Sequence, residues 1–407
     1  MADDLSTPSF VTVLERGKAY IAGQTIPLEI CPTKGTCICG FEMSEFVVTI
    51  EEWIGVAAWA NRNGYSLPHA QWGYQDQENK NRPITGICWC DAVLWCNAAS
   101  EAEGLAPAYY DSNGYLLKNF DGYEDLSDYW PEIKTDYKSN GYRLPTISEW
   151  EIAARGGDPS APDWNYKFSG DNDLAEVGWY GGDDGDGNAD DIMDVGQLNP
   201  NRLGLYDMCG NVMEMCDGNQ YAGGAWSSPE DECAILYAAT ASGDDPCAGE
   251  DYVGFRVVRT LEIQTEAEAL NMVNVASMLL NRVPENLRTE KVCLAAVKKG
   301  EKAWNFVPEA LKARVEALLQ SGGAPAAEPK QEAAVPPPLP TAPAWQGLPP
   351  VQYYAGLNGQ QAGPFGWSEL DGLVKKGDIN KQTLVWKVGF AGWTAAGEVA
   401  ELKVLWG

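Results

Sequence analysis

The stretch GYRLPTISEWEIAARGG, residues 141–157, sets the reading of this chain. Thr146 stands three residues before Glu149, the spacing at which a threonine hydroxyl and a glutamate carboxylate cap each other's backbone N–H groups at a helix start. Gly156-Gly157 then stops the helix. The same device recurs upstream in TIEEWIGVAAWANRNG (49–64), with Thr49 and Glu52 as the box. There Ile50, Trp53, Ile54, Ala57 and Ala58 repeat at helical spacing, and Asn63-Gly64 closes the run. A third helix follows GICWCDAVLWCNAASEAEG (86–104), with Asp91 near its start and Gly104 past its end. Short strands surround these helices, as in SFVTVLERGKAYIAGQTIPLEI (9–30), together with Gly- and Asp-rich turns and many aromatics. The pattern is that of an α+β domain with long loops.

The texture changes after Thr260. Residues 261–320 are rich in Ala, Leu, Glu and Lys and predict three or four short helices. Residues 321–350 form a Pro/Ala-rich linker containing VPPPLP at 335–340. Residues 351–407 predict a small α+β module, with Asn358-Gly359 placed as a hairpin turn. The first part, 1–260, is the remaining domain.

Composition excludes several functions. The 407 residues carry 58 acidic against 29 basic side chains, a formal charge of −29. Phosphate neutralisation needs clustered Lys and Arg, so no nucleic-acid partner is expected, nor an anionic membrane. No run approaches a membrane span, and no basic start followed by an apolar stretch marks a secretory signal, so the expected location is cytoplasmic as synthesised. A route to a surface or a phage particle stays open. The single histidine, His69, leaves little room for a Ser-His-Asp triad, a zinc hydrolase or a multi-histidine iron site. Eleven cysteines are scattered without zinc spacing. The C-x-C pairs, Cys37/Cys39 and Cys88/Cys90, would share one face of a strand, and buried free thiols are the expected state.

Three co-linear motifs carry a resemblance. GYRLPTISEWEIAARGG (141–157), NRLGLYDMCGNVMEM (201–215) and GGAW…GFR (223–226 and 254–256) are similar to the signature segments of formylglycine-generating enzymes and sulfatase-modifying factors. The resemblance runs over about residues 40–259 and implies the elaborated C-type-lectin-like fold of that family. It also implies where catalysis would sit: two cysteines spaced C-x-x-x-x-C just after the glycine pair, acting with copper. In this chain those positions are Ser228 and Cys233, and a hydroxyl does not replace a thiolate toward copper(I). Neither copper nor iron is therefore expected, and no catalytic residue is assigned. The resemblance further implies a structural calcium site from Asp207 and Glu214 side chains with the Gly210 and Val212 carbonyls, a hard-oxygen set that suits Ca²⁺.

With the sulfur chemistry incomplete, the frame is most similar to the variable proteins of diversity-generating retroelements, a bacterial and phage class. That likeness implies a fixed frame around side chains that change and meet a macromolecular ligand. Trp226 and Cys233 belong to the frame. The candidate ligand-binding set is Trp226 with Ser227, Ser228, Pro229, Asp231, Ile235, Tyr237, Thr240, Ser242, Asp244, Asp245 and Tyr252. From Leu203 to Phe255 there is no basic residue and there are ten carboxylates, whereas the family's enzymes carry several arginines there. The competing readings are a sulfatase-modifying-type oxidase and a degenerate paralogue of one. RTEKVCLAAVKKGEKAWNFVPEALK (288–312) resembles a small bacterial repeat. The last module resembles bacterial GYF-like domains, whose relatives bind proline-rich peptides, so residues 335–340 or another chain's proline segment are candidate partners.

Overall fold

The computed structural model describes residues 7–21, 37–67, 79–120, 133–182, 185–218, 220–240 and 249–320, and much of 353–402. His69, Ser242, Asp244, Asp245 and the 335–340 segment lie outside the described residues. The chain divides into two compact units, Met1–Leu319 and Gln320–Gly407.

The three predicted helices of the first domain are present. They are α1 (Ile50–Arg62), α2 (Trp89–Ala102) and α3 (Ile147–Ala154). Both Thr-Glu boxes close: Glu52 N donates to Thr49 Oγ1 at 3.3 Å, and Glu149 N donates to Thr146 Oγ1 at 3.3 Å. At α2 the box is built differently, because Cys88 is the cap and its N–H donates to the Asp91 carboxylate at 3.0 Å. The strand spacing inferred for Cys88 and Cys90 is therefore wrong. Asp91 holds the Cys88 N–H and starts a helix there.

Two sheets frame these helices. In the first, β1 (Phe10–Ile21), β2 (Cys37–Ser44), β10 (Val258–Thr260) and β5 (Tyr142–Arg143) lie in the order β1-β2-β10-β5. The second has the order β8-β7-β6-β9, from β6 (Met213–Cys216), β7 (Gln220–Ala222), β8 (Ala238–Thr240) and β9 (Val253–Gly254). A minor pair, β3 (Tyr109–Tyr110) and β4 (Lys134–Thr135), stands apart. Trp53 and Trp95 each meet the Phe255 ring edge-on, at 6.3 and 5.5 Å between centroids. The aromatic of the Gly-Phe-Arg segment thus locks the end of the second sheet onto α1 and α2.

The predicted helical segment follows as α4 (Glu266–Val275), α5 (Glu290–Lys299) and α6 (Glu309–Gln320), joined by short 3₁₀ turns. Its core of Leu280, Val292, Ala296 and Val315 takes in Ala19 from β1, so it is continuous with the first domain. In the second unit, β11 (Tyr353–Leu357), β12 (Gln360–Phe365), β13 (Leu384–Lys387) and β14 (Thr394–Ala395) form one sheet with α7 (Trp367–Lys375). Tyr353 is fully buried in that module's own core, while Tyr354 stacks near Trp386 at 5.8 Å. Among the described residues no helix is long and apolar enough to cross a membrane.

Candidate functional site

The segment between Gly223 and Gly254 leaves β7, enters β8 and returns to β9, three strands of one sheet. Its ends are therefore fixed by pairing. Further backbone bonds pin it along its length. Trp226 N donates to Asn211 O at 2.9 Å, Ile235 N to Lys167 O at 3.0 Å, and Gly181 N to Ser228 O at 3.1 Å. Gly224 has φ +66°, and a Cβ there would meet the Cys233 sulfur at 2.7 Å. The glycine is needed both for the left-handed backbone and for the room the thiol takes.

The two positions aligned with the family's cysteines flank one residue. Ala225 N donates to Ser228 Oγ at 3.1 Å, and Ala225 O lies 3.9 Å from Cys233 Sγ. Ser228 is buried and its hydroxyl serves the turn. Cys233 is fully buried, and burial pushes its thiol up to about 12. Burial thus favours the protonated thiol, which makes the free sulfur a poor nucleophile. It packs with Phe168, Cys209 and Ile235 in the second core cluster.

The candidate ligand-binding residues separate into two groups. Ser227 and Asp231 are exposed, and Tyr237 and Pro229 are half-buried. Asp231 and Glu230 share Lys167, each at 2.8 Å, an ion-pair clamp that the sequence reading missed because Lys167 lies 63 residues upstream. Ile235 is 1% exposed and belongs to the core, a correction to its assignment as a displayed position. Ser228 is corrected likewise, since its side chain is spent on Ala225. Trp226 is half-buried, as a frame residue should be. Tyr252 packs against the first core cluster and its carbonyl accepts from Met213 N at 2.9 Å, so it also serves the frame. Thr240 contributes backbone pairing to Gln220 in β8. Gly181 lies against Ser227, and its carbonyl accepts from Gly187 N at 3.0 Å in the acidic loop 185–190, which is also anchored where Tyr180 N donates to Asn188 Oδ1 at 2.9 Å. Its Asp186 and Asp190 are exposed.

In the expected calcium set, Glu214 already faces a cation of the chain's own. Glu214 is fully buried, and Arg256 grips it with Nε to Oε2 at 2.7 Å and Nη2 to Oε1 at 2.6 Å. Trp150 Nε1 adds a third donor at 2.8 Å. The remaining Arg256 N–H groups reach the carbonyls of Ser44, Glu45 and Tyr206. A guanidinium thus provides the positive charge that an ion would have brought to Glu214. Asp207 keeps one bond, from Gly196 N at 2.8 Å, while its Oδ1 is buried without a partner. Among the described residues no group of three or more His, Cys, Asp or Glu side chains is disposed to hold a metal.

Burial pushes the Asp207 carboxyl up to about 6 from 3.8. The folded protein then retains a proton that the unfolded chain has lost between about pH 4 and 6, so this residue's contribution to stability falls as pH rises through that window. The change amounts to at most about 3 kcal/mol. Urea unfolding of wild type and Asp207→Asn from pH 4 to 7 should show the mutant lacking this fall. A calcium ligand would show the reverse, with stability gained on adding Ca²⁺ and rising with pH.

The fold and the site together define a protein of the formylglycine-generating-enzyme type, with a C-type-lectin-like frame and without that frame's thiolate pair. The chain belongs to the Sulfatase-modifying factor enzyme 1-like domain family, matched over residues 2–261, and residues 353–402 match GYF domain 2. It is 31% identical over 252 residues to the chaperone protein LppX of Paenibacillus barcinonensis, covering 56% of this chain and 82% of that protein. It is 31% identical over 151 residues to the bovine (Bos taurus) inactive C-alpha-formylglycine-generating enzyme 2, 31% of this chain and 47% of that one. The chain thus spans about half of that relative's length. Among solved structures, CarF superposes with TM-score 0.50 at 25% identity, over 63% of this chain and 99% of that chain. Treponema denticola variable protein 1 gives 0.44 at 23% identity, over 62% and 95%.

Proposed function

We propose that the chain is a non-catalytic binding protein whose first domain presents the outward side chains of residues 227–252 to a macromolecular ligand, in the manner of a retroelement variable protein. The observation that carries this reading is the pair Ser228 and Cys233. One is a hydroxyl engaged in a turn and the other a fully buried thiol whose surroundings favour the protonated form. The same segment keeps Ser227 and Asp231 exposed and Tyr237 half-buried on a loop pinned at several points. Side chains on such a loop can change without disturbing the core. Small polar residues with a tyrosine resemble an adaptable paratope. The exposed carboxylates Glu230, Asp231, Glu250 and Asp251, with Asp186 and Asp190 of the acidic loop, favour a basic or hydroxyl-rich protein surface. The second unit would hold a proline-rich segment, from residues 335–340 or from another chain.

Sequencing sibling genes from one source tests the display reading. Substitutions should concentrate at Ser227, Pro229, Asp231 and Tyr237 and spare Gly223, Gly224, Cys233, Ile235 and Gly254. Drift spread evenly over the domain would overturn it. A copper(I) titration against a chromogenic chelator should show no uptake by the wild type; stoichiometric uptake would restore the oxidase reading.

A further inference from the structure

We propose that a cavity of about 160 Å³ at the junction of the first domain and the helical segment binds a small aliphatic monocarboxylate. Its wall is drawn from β2 (Ile38 and Cys39), Tyr137, Arg143 of β5, Glu149 of α3, and Arg282 from the turn after α4.

The charge arrangement points to an anion. Arg143 is buried and holds Glu149 with two parallel bonds, Nη1 to Oε2 at 2.7 Å and Nη2 to Oε1 at 2.6 Å. Its other Nη bonds go to Leu144 O and Thr260 Oγ1, at 3.2 and 3.1 Å. One donor remains: the Arg143 Nε is buried and has no hydrogen-bond partner. A buried N–H left unmade is costly, and this one belongs to a side chain that lines the cavity. Arg282 supplies the second feature. Among the described residues its contact is the Tyr137 ring, 5.7 Å from the guanidinium carbon, and it makes no ion pair. Arg143 lies 5.4 Å from the same ring. Of the three charged side chains at the wall, Arg143 and Glu149 offset each other and Arg282 stands over. Behind the wall, Tyr137 donates its phenol proton to Asp217, whose carboxyl burial pushes up.

One guanidinium without an ion-pair partner among the described residues matches one negative charge, whereas a phosphate dianion would add a charge facing Glu149. Ile38 and the Tyr137 ring offer apolar surface for a short alkyl stub, and the volume admits only a few heavy atoms. With a small shift of the wall, the ligand's carboxylate would accept a hydrogen bond from the Arg143 Nε–H on one oxygen and meet Arg282 with the other. This site shares no residue with the 226–252 segment, so it stands or falls independently of the display reading.

The test titrates the full chain with sodium propionate, sodium phosphate or sodium chloride at constant ionic strength. The readouts are calorimetry and the arginine Nε–H cross-peaks in ¹H–¹⁵N NMR. Propionate should saturate with a Kd on the order of millimolar, as the small atom count allows. It should move one strongly protected Nε–H signal. Arg282→Met should weaken propionate at least about tenfold, with Arg282→Lys in between. Absence of saturation by propionate, equal binding of phosphate and propionate, or an undiminished affinity in Arg282→Met would each overturn the assignment. The comparison of the three salts on the wild type decides the matter even if a variant fails to fold.

Discussion

Arg256→Met should destabilise the first domain by about 3–5 kcal/mol, because removing one partner of a fully buried pair leaves the other charge stranded. Glu214 is fully buried and would keep only the Trp150 indole as a donor. The loss reaches further than one pair. Arg256 also ties the carbonyls of Ser44, Glu45 and Tyr206, so its removal frees the end of β2 and the loop before β6 together. Urea unfolding of Arg256→Met, Glu214→Gln and the double mutant measures this. The double mutant should cost clearly less than the sum of the singles, since neither variant charge is left alone. Additive losses would mean that a different cation serves Glu214.

The second large effect lies inside the segment that the display reading treats as a surface. Ile235→Ala should cost about 2–5 kcal/mol, the range for a large aliphatic truncated in a packed core. Ser227→Ala and Asp231→Ala should each stay within about 0.5 kcal/mol of wild type, as exposed positions do. Thermal unfolding of the three variants checks the contrast. If Ile235→Ala were neutral, the segment would not be anchored as described. A large loss at Ser227 would instead make that residue part of the frame.

These predictions show where the sequence was legible. The capping boxes at Thr49 and Thr146 were readable because both partners lie within three residues, and both form as spaced. The frame glycines were readable for a similar reason, since a backbone that needs φ +66° at Gly224 leaves a local trace. Ile235 was not readable as core. It sits among polar, loop-like neighbours with no strand or helix period, and only the return of the chain against Lys167 turns it inward. Ser228 looked like a displayed hydroxyl for the same reason.

The cation that meets Glu214 was hidden by distance along the chain. Asp207 and Glu214 are seven residues apart and look like a ligand pair, yet the group that meets Glu214 comes from Arg256, 42 residues later. The Lys167 clamp on Glu230 and Asp231 and the junction of Arg282 with Tyr137 are equally non-local.

The amino-acid sequence alone determined the order of domains, the helix starts, the absence of a second thiol at position 228 and the family frame, because each depends on residues near one another. Tertiary structure decided which side chains of 227–252 reach solvent, which cation meets Glu214, and where Arg143 and Arg282 come together. Those outcomes depend on burial and on contacts across tens or hundreds of residues, where the energy of a charge or a methylene is set by its surroundings and not by its neighbours in the chain.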